Sequence, residues 1–203
     1  MKIYIDFDGT IYNSTKLDKK FINLFKEYNI DQKYITKLIN EIKNYNIIAK
    51  RLINKFNLNT DILTQINNIY SEELIYQDVI PFLEKYYKKC NLILLTYTND
   101  KNYQLNKINN SNISKYFKEI IITTKDKSKL NNIDYLNGIF IDNNPIELER
   151  FYNSNASKLI RIQRNTDKYS KLKLNINNIP SFKDFKELLQ SKYIENLGDE
   201  TNE

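Results

Sequence analysis

The chain has 203 residues, 41% hydrophobic and 28% charged, which is enough apolar material for one medium-sized core, or a core with a small inserted unit. It has no histidine and a single cysteine, Cys90, so Ser-His-Asp and Cys-His catalysis, Cys/His zinc sites and an internal disulfide are all excluded. The net charge of +6 comes from lysines scattered along the chain, so charge alone does not mark a nucleic-acid surface.

Any hydrolytic chemistry must therefore run on carboxylates, lysine, hydroxyls or a hard cation bound through oxygen. A lone cysteine fits a reducing compartment, and no apolar run approaches the length of a membrane span. The expectation is a cytoplasmic protein with no membrane partner. Asn and Lys recur in almost every block of ten, but they interleave with periodic Ile and Leu, which disordered tracts lack.

In chain order, residues 2–7 (KIYIDF) form a short β-prone run. Residues 15–77 carry no strand-like alternation. They hold four helical stripes: Phe21, Leu24, Phe25 and Tyr28; Ile35, Leu38, Ile39 and Ile42; Ile48, Leu52, Ile53 and Phe56; and Ile62, Ile66, Ile69 and Tyr70. Four more apolar runs follow at 91–96, 119–124, 138–142 and 158–163, each separated from the next by helical-looking sequence. That alternation predicts a parallel sheet with crossover helices, interrupted by a helical insertion after the first strand. Ser181 and Asp184 predict a capped helix over 182–191, and the polar residues 193–203 read as a frayed tail.

The chemistry concentrates at strand ends. Asp6-Phe7-Asp8-Gly9-Thr10 follows the first strand, and residues two apart in an extended segment point to one side, so Asp6 and Asp8 share a spot beyond the sheet's carboxyl edge. Two carboxylates there need a cation or a shared proton, and Mg²⁺ accepts such oxygen ligands while bridging to phosphate. Gly9, in a chain with three glycines, points to a backbone requirement. Thr96 ends the second strand, where its hydroxyl and the following backbone N–H groups can bond phosphoryl oxygens. Lys125, Lys127 and Lys129 follow the third strand and can bind phosphate as point charges. Asp142 closes a buried apolar strand, which is costly without a partner, and a cation shared with Asp6 would supply one. Asn144 and Pro145 form a helix start.

This order of strand-DFDGT, strand-LLT, Lys and strand-FIDN resembles the four motifs of the haloacid dehalogenase-like (HAD) superfamily, over nearly the whole chain outside the detail of the insert. The resemblance implies a Rossmann-like three-layer α/β core with a parallel sheet of about five strands in the order 3-2-1-4-5. The core would comprise residues 1–13 and 78–192, the small helical cap residues 14–77, and the tail 193–203. It further implies a Mg²⁺-dependent phosphatase for a small phosphomonoester (a sugar phosphate, a phosphoglycolate-like compound or a nucleotide) acting through an aspartyl-phosphate.

By that resemblance Asp6 is the nucleophile and Asp8 the general acid/base. Thr96 holds the transferring group, with Gly9, Thr10 and Tyr97 in the phosphate cradle. Lys127 is the third-motif lysine, with Lys125 and Lys129 as rivals. Asp6, Asp142 and the backbone carbonyl of Asp8 hold the metal.

The fourth motif departs from the pattern. Its second position is Asn143 rather than an acid, with Glu147 as a possible compensation. Asp6's field is expected to raise the pKa of Asp8 toward working pH, with Mg²⁺ and lysine opposing it. The dehalogenase branch lacks an acid at that position, so Asp8 favours phosphoryl transfer. Alternatives are a phosphotransferase, separable by product analysis with added alcohol acceptors, and a catalytically weakened binding protein, favoured by Asn143. The insert is expected to gate the site, with Lys16, Lys50 and Arg51 as candidate substrate contacts. The expected partner is a small phosphorylated substrate rather than nucleic acid, and the expected state is a monomer or weak dimer.

Overall fold

The computed structural model describes residues 1–199. Six parallel strands, β1 (Lys2–Ile5), β2 (Asn91–Tyr97), β3 (Glu119–Thr123), β4 (Ile139–Asp142), β5 (Lys158–Ile162) and β6 (Ser181–Phe182), form one sheet in the order β3-β2-β1-β4-β5-β6. The five expected strands and their order are all present, and β6 adds a sixth. This strand replaces part of the expected helix: Ser181 and Phe182 pair with Arg161 and Ile162, and the helix cap is Asp184, whose carboxylate accepts from the N–H of Glu187. Two residues are too few for an alternation signal, so only the β5 edge reveals this strand.

Alternation through the sheet splits the core. Ile3, Ile5, Leu92, Leu94, Ile139 and Ile141 belong to one buried cluster, and Tyr4, Ile93, Leu95, Phe140 and Leu159 to another. Both faces are covered, as a parallel sheet requires. Helices α5 (Val79–Tyr86), α6 (Lys101–Asn110), α8 (Phe185–Ser191) and α9 (Tyr193–Asp199) contribute to the first cluster, and α7 (Pro145–Asn153) to the second. Helix α9 corrects the expected tail: residues 193–199 are helical and Ile194 is buried. The rest of that segment, 200–203, lies outside the described residues.

Between β1 and α5 lie α1 (Ser14–Leu24), α2 (Gln32–Ile42), α3 (Tyr45–Phe56) and α4 (Asp61–Ile69); the last three carry their expected stripes up to the Tyr70 cap, whereas the first stripe straddles the end of α1, with Phe25 as its cap and Tyr28 in a following 3-10 turn. Leu17, Phe21, Ile35, Leu38, Ile48, Leu52, Ile62 and Ile66 are buried and continuous with the first core cluster. Asn13, Asp31 and Asn44 cap α1, α2 and α3 through their side chains. Helix ends need a left-handed residue, and in this Gly-poor chain Asn29, Lys43 and Asn57 adopt it at φ 53°, 54° and 51°. Asparagine tolerates that conformation better than other side chains, which gives part of the Asn-rich composition a structural use.

Candidate active site

The strand register sets the site. Ile5 of β1 lies level with Leu94 of β2 and Ile141 of β4, and the N–H of Asp6 donates to the carbonyl of Ile141 at 2.9 Å. The residues that follow, Asp6, Thr96 and Asp142, therefore emerge together at the carboxyl edge of the three central strands, where open α/β sheets bind ligands. A cavity of about 650 Å³ opens there, walled on one side by these residues with Asp8, Gly9 and Lys127, and on the other by Asp18, Asn40, Lys43, Asn44 and Tyr45 of the insert.

Lys127 is the lysine the site uses. Its side chain is buried, and Nζ bonds Asp6 Oδ1 at 2.9 Å and Asp142 Oδ2 at 2.6 Å. The rivals Lys125 and Lys129 are exposed. The second oxygen of Asp142 accepts the N–H of Asn144 at 2.8 Å, so the turn that begins α7 holds this carboxylate in place. Burial, and then the Asp142 charge, push the Asp6 carboxyl up to about 7 against the pull of Lys127. Burial likewise raises Asp142, again opposed by Lys127. Burial would lower the lysine, but the two carboxylates outweigh it and hold the ammonium charged.

The donor set fits a hard divalent cation. Asp6 and Asp142 both reach one ammonium, so their oxygens converge on a single position, and the pair leaves one negative charge in excess over Lys127. Among the described residues no three acidic, Cys or His side chains cluster as a metal cage. Two carboxylates completed by a backbone carbonyl and water are the oxygen-rich, partly hydrated set that Mg²⁺ accepts.

Asp8 departs from expectation. Burial pushes its pKa up, but the Lys107 ammonium and hydrogen bonds from Lys107, Gln104 and Ser14 more than reverse this, and its carboxyl sits below the usual range. Lys107 Nζ lies 2.5 Å from Oδ1, Ser14 Oγ donates to Oδ1 at 3.0 Å, and Gln104 Nε2 donates to Oδ2 at 2.8 Å. The neighbouring lysine, absent from the sequence reading, decides the sign. Both oxygens of the Asp8 carboxylate are thus engaged by side-chain donors.

Thr96 is buried, lines the cavity and accepts from Gln104 Nε2 at 2.9 Å, which leaves its own hydroxyl proton free to donate. Thr10, expected in the phosphate cradle, does not line the cavity. It is fully buried, its hydroxyl lies 3.2 Å from Asp6 Oδ2 and 3.1 Å from Asn143 Oδ1, and it accepts the N–H of Asn143. Thr10 thus ties the first motif to the fourth. Tyr97, also expected there, lines the cavity but is half exposed, with its hydroxyl donating to Asn99 Oδ1.

Asn143 is locked into structure. Its Oδ1 faces Thr10 and its Nδ2 donates to Asp167 Oδ2 at 2.8 Å. Gly9 lies directly beneath with φ +85°, and a Cβ there would stand 2.2 Å from Asn143 Nδ2. Both the left-handed backbone and the close approach exclude a side chain. Glu147 also lines the cavity, with Oε1 held by Arg150 at 2.6 Å. Arg164 lies below the first-motif loop. It donates to the Thr10 carbonyl from Nε and Nη2, forks onto Asp78, and stacks 3.6 Å from the Tyr76 ring centroid.

Of the insert residues proposed to contact substrate, neither Lys16, Lys50 nor Arg51 lines the cavity, and Lys16 Nζ donates instead to the carbonyl of Glu73. The α2–α3 turn takes that place through Lys43 and Asn44, and Asn44 Nδ2 bridges to Asp100 Oδ2 on the opposite wall at 2.8 Å. The α1 residue Asp18 accepts the hydroxyl of Tyr45.

Sequence reasoning missed Lys107, Gln104, Arg164 and Asp167. For the first two a signal existed: Tyr103, Gln104, Lys107 and Ile108 occupy one face of α6, so two polar residues fall on an apolar stripe.

No protein-family model matches the sequence, and no curated protein matches it. Solved structures do. A haloacid dehalogenase-like hydrolase from Burkholderia xenovorans superposes with a TM-score of 0.72 at 11% identity, over 93% of this chain and 94% of that one. A HAD-hydrolase from Bacillus subtilis, solved bound to magnesium and showing interdomain movement, gives 0.61 at 14% identity over 95% and 98%. L-2-haloacid dehalogenase from Xanthobacter autotrophicus gives 0.55 at 12% identity over 80% and 77%. The chain has the fold of the haloacid dehalogenase-like hydrolases, a three-layer α/β core with a parallel sheet and a helical insertion after its first strand.

Proposed function

We propose that this protein is a phosphatase of the haloacid dehalogenase-like type, hydrolysing a small phosphomonoester through an aspartyl-phosphate on Asp6. The observation that carries the reading is the convergence of Asp6 and Asp142 on one cationic position, with Asp8 and Thr96 lining the same cavity. Residues 14–77 act as a cap over a core formed by 1–13 and 78–192, and the α2–α3 turn closes the cavity from above.

Phosphate monoesters hydrolyse very slowly in water, and the site must lower that barrier by up to about 20 kcal/mol or more. A carboxylate nucleophile divides the reaction into two displacements at phosphorus. Mg²⁺, held by Asp6, Asp142 and the Asp8 carbonyl, would supply positive charge beside the phosphoryl oxygens. Lys127 favours the ionised form of Asp6 against burial, orients its carboxylate, and offsets the negative charge that gathers as the phosphoryl group approaches. Thr96 donates its hydroxyl to a phosphoryl oxygen. Asp8 exchanges a proton with the leaving oxygen and with the attacking water. An acid at this position separates the reading from dehalogenation, because a departing halide takes no proton.

The test is inorganic phosphate release from a panel of phosphomonoesters, in Mg²⁺ and in EDTA, by the wild type and Asp6→Asn. Metal-dependent release that Asp6→Asn abolishes while staying folded is expected. Comparable release by Asp6→Asn would remove the nucleophile assignment.

A further inference from the structure

Lys107 is a buried ammonium in the middle of α6, with its side chain 5% exposed. The helix buries it on the same face as Tyr103, Gln104 and Ile108 rather than leaving it to solvent. Its Nζ is surrounded by three aromatic rings, Phe7 at 5.4 Å, Tyr12 at 5.1 Å and Tyr103 at 5.3 Å to their centroids. These faces attract a cation and fix where it stands. The remaining contacts are Gln104 Oε1 at 3.2 Å and Asp8 Oδ1 at 2.5 Å.

Gln104 completes a closed network. One turn before Lys107 on the same helix, its Nε2 reaches both Asp8 Oδ2 and Thr96 Oγ1. The Asp8 carboxylate is therefore held at both oxygens from one rigid helix, yet 35% of its side chain stays open to the cavity. A group held this way keeps its orientation while its surroundings change.

We propose that Lys107, with Gln104, is the positioning residue for the second half of the reaction, holding the Asp8 carboxylate where it takes a proton from the water that attacks the phosphorylated Asp6. This rests on the phosphatase reading. In that step the water oxygen bonds to phosphorus and the bond between phosphorus and the Asp6 oxygen breaks. The water's proton passes to Asp8, and inorganic phosphate leaves.

The experiment is rapid-quench turnover of p-nitrophenyl phosphate in Mg²⁺ by the full chain, with intact-mass measurement of the protein. This leaving group departs without a proton, so the first half should survive the loss of Lys107 while the second slows. Lys107→Met, which keeps the chain length within the aromatic box, should give a burst of one nitrophenolate per enzyme and a phosphoryl adduct. Steady turnover should then fall about a hundredfold, the low end of what a positioned acid–base group contributes. Gln104→Met should show the same pattern to a smaller extent, and Lys107→Arg should recover part of the rate by restoring the charge.

Wild-type turnover in Lys107→Met, or an equal loss of burst and steady rate with no adduct, would overturn the positioning role while leaving the phosphatase reading intact. A wild type that releases no nitrophenolate in Mg²⁺ would instead remove that reading, and the inference with it.

Discussion

At the residue scale, the site balances like charges in a buried place. Asp6 and Asp142 share one lysine, and the remaining negative charge has no partner within the cluster. Asp6 is pushed up to about 7, far above its unfolded value, first by burial and then by Asp142. Without a cation, the folded protein binds a proton at Asp6 that the unfolded chain releases. Stability from this group is therefore greatest below its unfolded pKa and falls as pH rises, until the loss is complete above about 7. In EDTA at pH 8, Asp6→Asn should be more stable than the wild type by roughly 1–4 kcal/mol, and at pH 4 the two should converge. Urea unfolding at both pH values checks this, and a variant less stable at pH 8 contradicts it. Lys107 is the residue-scale surprise. A lysine in a chain dense with lysines gives no signal of its own, and only its position beside Tyr103 and Ile108 on one helix face distinguished it. The direction of the Asp8 shift followed from that omission, since a sequence shows which acids lie nearby along the chain but not which cation lies across a fold.

At the element scale, helix ends serve both stability and site geometry. Asn44 caps α3 by accepting the N–H groups of Asn46 and Ile47, and its amide nitrogen reaches across the cavity to Asp100, the cap of α6. One side chain thus joins the insert to the helix that carries Gln104 and Lys107. Asn44→Ala should cost about 1 kcal/mol through the cap alone. It should also raise hydrogen exchange across residues 40–46 relative to the sheet, which separates loss of the bridge from a general destabilisation; unchanged exchange there would show that the bridge does not restrain the turn. The helical stripes over 35–69 were legible because repeats of the same spacing leave little alternative, and α2, α3 and α4 follow them, whereas the first stripe runs past the end of α1 into a 3-10 turn. Strand β6 was not legible: its two residues become a strand only because the edge of β5 offers them N–H and C=O partners. The same is true of α9, whose polar composition conceals the apolar residues that dock it, buried Ile194 with Tyr193 and Leu197 packed beside it.

At the scale of the whole molecule, one apolar cluster runs from the sheet through α5, α6 and α8 into the insert, joining Ile3 and Ile5 to Ile48, Leu52, Ile62 and Ile66. Beneath the first-motif loop, the Arg164–Asp78 pair draws together the β5 end, the start of α5 and the Thr10 carbonyl. Asp78 also accepts the N–H of Phe185 at the start of α8. Arg164→Ala would leave the Asp78 carboxylate without its guanidinium and free the loop that carries Asp6 and Asp8. Breaking one partner of a buried pair costs about 3–5 kcal/mol, and thermal unfolding should show a single transition moved to lower temperature. Separate transitions for the insert and the sheet would instead show that the shared cluster does not couple them.

The sequence by itself determined five of the six strands, the helical character of the insert and the order of chemical residues along them, because periodicity and strand-end position are local properties that the chain carries wherever it folds. It also placed Asp6, Asp8, Thr96, Lys127 and Asp142 at one sheet edge, since a parallel sheet brings the carboxyl ends of its strands to the same side. Tertiary structure alone decided which residues stand behind them: Lys107 beneath Asp8, Arg164 beneath Thr10, and Asn143 bridging to Asp167. Those partners come from segments up to 154 positions apart. Their influence acts through distance and burial, which no local pattern encodes, so the charge state of the site emerges only once the chain has packed.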